Sequence, residues 1–449
     1  MLGIRPPPYD ERRSNGVAHV PSHSSDVPVE PGVSRPTDAP ERAVPRVGWG
    51  FITLYALSYT GGSLLFLAPL LVSLAVKVND LVGIEAAPRS LALVTGVGAL
   101  LALVSNPFFG RLSDRTTATM GMRRPWMLIG VLGGTFGLLV VAAASSIPVV
   151  LLGWCTSQVF FNATLAAQAA VLPDQVPRSQ RGLVSGVLGT CVPVASVTGT
   201  YLVQAFDHSD LLMFAVPCLV GGAAVVLFVS RLHDRRLSPE DRPPWSLREL
   251  AGTFYVDPRR SPDFAWAFVS RFLLVTAYAF LVTYQTYYLL AEIGVAEADV
   301  THQVYVGTLV QSVALVSVSP LAGRLSDRVG RRKVFVVAAA TIYAVALFVI
   351  AGADGVDGYL VGMAVGGAGF GTYMAVDIAL VVDVLPDTGS AAKDLGVLNI
   401  AGALPFAVAP ALAPGILAWG DGSYGVLYAV AGAFALLGAA AVVPIKGVR

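Results

Sequence analysis

Gly110-Arg111-Leu112-Ser113-Asp114-Arg115 recurs as Gly323-Arg324-Leu325-Ser326-Asp327-Arg328, an offset of 213 residues. Leu172-Pro173-Asp174 recurs as Leu385-Pro386-Asp387 at the same offset of 213. Two unrelated matches at one spacing mark an internal duplication, and a duplication constrains the architecture more than any single element does. Each copy follows a long apolar run, so the repeated hexamer reads as a short polar loop between two membrane-crossing segments.

Outward from those loops the chain is unusually apolar. Of 449 residues, 55% are apolar and only 13% are charged, about half the charged share of a soluble domain. A soluble chain of this length could not cover that much apolar surface. The runs are continuous rather than alternating, which points to helices; a bilayer core needs about 20 apolar residues in helical form. Twelve such segments are expected, with cores near 49–75, 90–110, 125–144, 148–171, 183–206, 210–230, 264–290, 303–322, 333–352, 357–384, 396–418 and 424–444. The 46 glycines, many within these runs, suit helices that pack backbone to backbone. Cys155, Cys191 and Cys218 all lie in apolar runs, so neither a disulfide nor a metal site is expected.

Residues 1–46 are proline-rich and polar and are expected to form a disordered cytoplasmic tail; no cleaved signal peptide is expected. Residues 47–230 form one six-helix bundle, 231–262 a basic, proline-rich linker, and 263–449 a second bundle. Within the linker, Ser246 to Tyr255 reads as a short amphipathic piece on the membrane surface. Basic residues set the orientation. Arg111 to Arg124, Arg178 and Arg181, Arg231 to Arg260, Arg324 to Lys333, Lys393, Lys446 and Arg449 all fall on one side, leaving Lys77 and Arg89 on the other. The expectation is a multi-pass plasma-membrane protein with both termini in the cytoplasm. The net charge of +1 gives no reason to expect a nucleic acid partner.

The repeated loop resembles the inner-loop signature of the major facilitator superfamily. The resemblance covers about 49–444 and implies two parallel six-helix repeats around a central solute path. The second copy, Asp327-Arg328-Val329-Gly330-Arg331-Arg332-Lys333, has the usual spacing. The first, from Asp114 and Arg115 to Arg123, Arg124, Pro125 and Trp126, carries four extra residues before Gly121. That longer form, with Gly396-Val397-Leu398-Asn399-Ile400, is similar to the sucrose–proton symporters and their glycoside-transporting relatives. By this resemblance Asp114 would face the start of helix eleven near 391–395, and Asp327 the start of helix five near 179–183. Asp114, Arg115, Arg123, Arg124, Asp327, Arg328 and Arg331 would then form a gating latch, the arginines pairing with acids such as Asp174 and Asp387. The plainer reading is that these charges only set topology.

Ionisable residues are costly inside a bilayer, about 2.5–3.5 kcal/mol each on insertion scales. The first half has none deep in its helices. The second has Arg271 in helix seven, Asp377 in helix ten and Asp383 nearer the end of helix ten. Arg271 lies nine residues after Pro262 and Asp377 nine before Pro386, so both sit roughly 14 Å in from the same side. They form a candidate ion-coupling group, either as a static pair or with Asp377 taking up a proton and releasing Arg271. Asp383 is the alternative partner for Arg271. Candidate substrate contacts are Tyr59 beside Tyr55, Gln158 and Asn162 four apart in helix four, Tyr278 and Gln285 on the Arg271 stripe, Gln311, Tyr373 and Asn399. Amides and phenols suit a polyhydroxylated solute; the same groups could instead tie helices together. The sucrose pattern is broken at two places: its helix-four acid falls at Gln158 and its arginine at Ala169.

These readings favour a secondary transporter for a small polar solute, a glycoside or sugar, moved by alternating access with proton coupling and acting as a monomer. The alternatives are a proton-driven exporter of drug-like or secondary metabolites and a non-transporting sensor. With no P-loop, HExxH or GxSxG motif, an enzyme is not expected, nor is any cofactor.

Overall fold

The computed structural model describes residues 46–242, 261–383, 397–398 and 400–445, with the side chains at 241, 378–379 and 381–383 also left aside. All of these lie in one compact unit, Val44–Arg449. The described residues are helical, running in chain order as α1 (Trp49–Ala68), α2 (Leu74–Asp114), α3 (Arg124–Ala142), α4 (Ile147–Gln175), α5 (Arg178–Ala205), α6 (Asp210–Arg231), α7 (Pro262–Ala291), α8 (Glu297–Val329), α9 (Arg332–Ala351), α10 (Val356–Asp383), α11 (Pro405–Trp419) and α12 (Tyr424–Val442).

The first two expected spans differ from the sequence reading in their boundary. A π-turn at Pro69–Ser73 links α1 to α2, and α2 continues until Gly83, at φ 75° and ψ 162°, bends the chain back. The whole stretch Trp49–Asp114 is thus 66 residues of nearly unbroken helix. The first span therefore reaches to about Val82, well past the expected 75, and the second begins next to it rather than near 90. Glycine is required at the reversal because a side chain rarely adopts that backbone angle. The Ser246–Tyr255 piece lies outside the described residues.

Helix ends follow local chemistry. Pro125, Pro148, Pro262 and Pro405 sit in first turns, where a missing N–H costs nothing. The Ser423 hydroxyl accepts from the Val426 N–H at 3.4 Å at the start of α12. Gly330, in the left-handed region at φ 66°, closes α8. Within the first half α1 packs on α5 and α6, and α3 on α4 and α6. Within the second half α9 packs on α10 and α12, and α7 on α12. Small residues set these approaches: a methyl on Gly61 of α1 would sit 2.5 Å from the Gly221 carbonyl oxygen of α6. Large apolar side chains such as Leu132, Phe136, Leu152 and Leu219 face outward, as a lipid-facing surface requires.

The halves meet through α2 against α11 and α5 against α8. Their polar bridges gather at the end opposite the basic loops. Asn79 donates to Glu297 Oε1 at 3.2 Å, Thr301 to Asp207 Oδ2 at 2.6 Å, and Tyr287 to the Ala75 carbonyl at 3.0 Å. Gln204 meets His302 at 2.9 Å, and Tyr201 lies against Tyr305 at 5.6 Å. At the basic end, no hydrogen bond among the described residues joins the halves. There α5 presents Gly182, Gly186 and Gly189, and nothing lies within 4 Å of where their side chains would begin. Among the described residues, the polar bridges between the halves thus lie at the end opposite the basic loops.

Candidate functional site

The second half holds a buried ion pair. Arg271 on α7 donates from Nη1 to Asp377 Oδ2 on α10 at 2.6 Å. The Asp377 side chain is 4% exposed and that of Arg271 18%, so both charges are largely out of water and each makes the other tolerable. The Arg271 Nε is buried without a partner. Tyr373, one turn before Asp377, is fully buried, with its hydroxyl beside the Asp377 carboxylate. Tyr278, two turns above Arg271, stacks on Phe370 of α10 at 4.3 Å and 8°, with Phe406 of α11 edge-on at 6.3 Å. An ion pair, a buried phenol and a stacked aromatic face therefore converge where α7, α10 and α11 meet. Asp377 is the partner of Arg271; the Asp383 side chain lies outside the described residues, as does Asn399.

The first half answers with neutral groups. Asn162 on α4 donates to the Gln158 carbonyl at 2.8 Å and accepts from Asn106 on α2 at 3.2 Å. Gln158 and Asn162 are each almost buried, and the Trp154 indole N–H nearby has no partner. Tyr59 is half-buried, edge-on to Tyr55 at 6.4 Å. No hydrogen bond among the described residues joins this cluster to the Arg271–Asp377 cluster. Gln311 on α8 is buried with its amide nitrogen unpaired. Gln285 accepts from Tyr359 of α10 at 3.2 Å and sits in the packed end of its half, joining two helices.

The sequence reading missed Asn106 and Gln168. Gln168 on α4 donates from Nε2 to the Ser58 carbonyl at 2.7 Å and the Ser58 hydroxyl at 2.8 Å, while Tyr55 donates to its backbone carbonyl at 2.7 Å. Both were visible as polar side chains within apolar runs, and Gln168 stands six residues past Asn162.

At the basic end Arg123 is the centre of a tight cluster. Its guanidinium meets Asp114 at 2.6 Å, Asp174 at 2.8 Å and the Ser113 hydroxyl at 2.5 Å. Burial alone would lower its pKa, but Asp174 and Asp114 outweigh burial and hold the guanidinium above its ordinary value. The backbone N–H groups of Arg123 and Arg124 donate to Asp234 Oδ2 at 2.6 and 2.9 Å, tying the start of the inter-half linker to this loop. Arg115 ends α2, its N–H returning to the Leu112 and Ser113 carbonyls. In this conformation Asp114 pairs within its own half; the start of helix eleven that it was expected to face lies outside the described residues. Asp327, Arg328 and Arg331 are exposed, and Asp327 has no polar partner on α5 among the described residues.

Three likenesses bear on identity. The sequence signature of the Major Facilitator Superfamily matches residues 50–317 and 301–447. The tetracycline resistance protein, class E, of Escherichia coli is 27% identical over 157 residues, 35% of this chain; the chain spans 37% of that relative's length. Among solved structures, the nucleoside transporter NupG superposes with a TM-score of 0.69 at 12% identity, over 88% of this chain and 98% of that one. A bacterial homolog of the human lysosomal transporter Spinster, in an inward-facing and unoccupied conformation, gives 0.64 at 14% identity over 88% and 98%. At such identities the structures show a shared fold, whereas the signature runs through both halves of this chain. The protein is a membrane transporter, not an enzyme, and belongs to the Major Facilitator Superfamily.

Proposed function

We propose that this protein carries a small polar solute, a glycoside or sugar, across the plasma membrane by alternating access, with proton movement coupled through Asp377. The observation that carries the reading is the Arg271–Asp377 pair, placed between α7 and α10 beside the buried Tyr373 phenol and a stacked aromatic face. Aromatic faces take the apolar side of a sugar ring, while the amides of Gln158, Asn162 and Gln311 suit its hydroxyls. Protonating Asp377 frees Arg271, and the freed pair lets α7 and α10 shift against each other; deprotonation restores it. The exposed charges of the basic end then close across the halves in the opposite state.

The test is to add sucrose, maltose and other glycosides to lightly buffered expressing cells and record external pH. Solute-induced alkalinisation that vanishes in Asp377→Asn is the expected result; solute entry without any pH change removes the coupling. A second reading, proton-driven export of a drug-like compound, is favoured by the 27% identical tetracycline resistance relative. It predicts that expression lowers cell accumulation of such a compound, with no glycoside response.

A further inference from the structure

Where the end of α6 meets the start of α3, at the basic end, there is a cavity of ≈ 370 Å³ lined by Arg124, Arg231, His233, Asp234 and Arg236. Three guanidinium groups thus border it against one carboxylate. That carboxylate is engaged elsewhere, its Oδ2 accepting the backbone N–H groups of Arg123 and Arg124. Among the described residues Arg124, Arg231 and Arg236 form no ion pair, and the Arg124 Nε is buried without any partner. A cluster of guanidinium groups without ion-pair partners around a polar cavity is a site for a phosphate, whose oxygens match their forked donors.

The equivalent place in the second half, where α9 begins against the end of α12, is built differently. There Lys333 donates to the Val443 carbonyl at 3.0 Å and the Ile445 carbonyl at 2.5 Å, so the cation is spent on the helix terminus. Among the described residues, the basic cavity belongs to the first half.

The surroundings choose between a soluble anion and a lipid. Arg231 is the last residue of α6 and Arg124 the first of α3, so the cavity sits at the membrane boundary. One turn above Arg231 on the same face, Leu227 is 44% exposed, and Ile129 of α3 is 41% exposed. Exposed Met120 lines the cavity itself. A cationic cavity continuous with an apolar, lipid-facing surface fits an amphiphile with a negative head. We propose that this cavity binds the phosphate of an anionic phospholipid, whose acyl chains run along α3 and α6. The bound lipid anchors the start of the linker that Asp234 pins to the loop between α2 and α3.

Native mass spectrometry of the full chain, in detergent carrying equal amounts of phosphatidylglycerol and phosphatidylcholine, tests this. The wild type is expected to retain phosphatidylglycerol preferentially. Arg231→Gln/Arg236→Gln, both surface positions, is expected to lower that preference by roughly 30-fold, about 2 kcal/mol at 1.4 kcal/mol per tenfold. Arg235→Gln, exposed next door but outside the cavity lining, keeps it, and Arg231→Lys/Arg236→Lys keeps most of it. Equal losses from Arg235→Gln and the double glutamine variant would mean diffuse surface charge and overturn the site. Competition by millimolar inorganic phosphate as effective as that by phosphatidylglycerol would make it a soluble-anion site and overturn the lipid.

Discussion

The two halves join their first and fourth helices with different chemistry. In the first half Gln168 of α4 holds Ser58 of α1 through a neutral amide, at 2.7 and 2.8 Å. In the second, Asp377 of α10 holds Arg271 of α7 through a charge pair at 2.6 Å. Ser58 and Arg271 are 213 residues apart, the offset of the repeat itself, as are Trp49 and Pro262 at the starts of α1 and α7. Gln168 stands one helical turn beyond the position equivalent to Asp377. The contact between first and fourth helix is thus a neutral strut in one half and a charge pair in the other. A neutral amide bond in a membrane interior is worth about 0.6–2 kcal/mol and does not respond to pH. A buried ion pair is strong only while both partners are charged, so a half built this way has a joint that a single proton can release.

The sharpest way to break this comparison is Asp377→Ala. It leaves Arg271 charged, buried and unpaired, and the expected loss is about 3–5 kcal/mol. The readout is a drop of several degrees in the unfolding temperature of the purified protein, together with loss of transport. Arg271→Gln/Asp377→Asn removes both charges and is expected to recover most of the stability without recovering coupled transport. If the double variant regains pH-dependent transport as well, the joint is only structural in both halves and the contrast between them disappears.

The loops of the basic end extend the comparison. The first copy is long, and Gly121 takes φ 106° with the Asp234 carboxylate packed where its side chain would be. The second copy is short, and Gly330 at φ 66° has nothing within 4 Å of that position. Gly121→Ala therefore meets two penalties, backbone strain of about 1–3 kcal/mol and displacement of Asp234 from the N–H groups of Arg123 and Arg124. Gly330→Ala meets the strain alone, about 1 kcal/mol, because alanine tolerates the left-handed region at modest cost. Unfolding temperatures should rank Gly121→Ala clearly below Gly330→Ala. Equal losses would mean that Asp234 does not hold the linker to the loop.

Much of this was legible in the sequence because its signals are local or periodic. The repeated hexamer marked a duplication, and the apolar runs marked the helices apart from the junction of the first two. The cost of intramembrane charge made Arg271 and Asp377 stand out, and equal depth matched them. What was not legible depends on side-chain direction. Gln285 lies on the same stripe as Arg271 and Tyr278, yet it is spent on Tyr359 within its own half. A seven-residue spacing marks a face of a helix but not which neighbour that face meets. Gln168 escaped for the converse reason: a lone amide in an apolar run carries no sign of its partner until α1 is laid beside it. Gly83 escaped because it fell in the expected loop between the first two spans, and only its backbone angle marks it as the place where the chain turns. The bridges such as Asn79 to Glu297 and Thr301 to Asp207 are relations between the halves that neither repeat encodes alone.

The smallest expected effect tests the strut. Gln168→Leu removes the two bonds to Ser58 but also removes an Oε1 that is buried without a partner. Deleting a donor and an unsatisfied acceptor together partly offsets, so the net loss is about 1 kcal/mol rather than the full value of two bonds. Leucine also fits the space that Gly62 leaves for the glutamine head, whose Oε1 a side chain on Gly62 would meet. The Tyr55 bond runs to the Gln168 backbone and survives. Transport in this variant should stay within about twofold of wild type, with its pH dependence unchanged, since no proton-carrying group has been touched. A shifted pH profile in Gln168→Leu would show that the first half senses the state of Asp377 across the seam, and the neutral joint would then be part of the coupling path rather than the frame against which it moves.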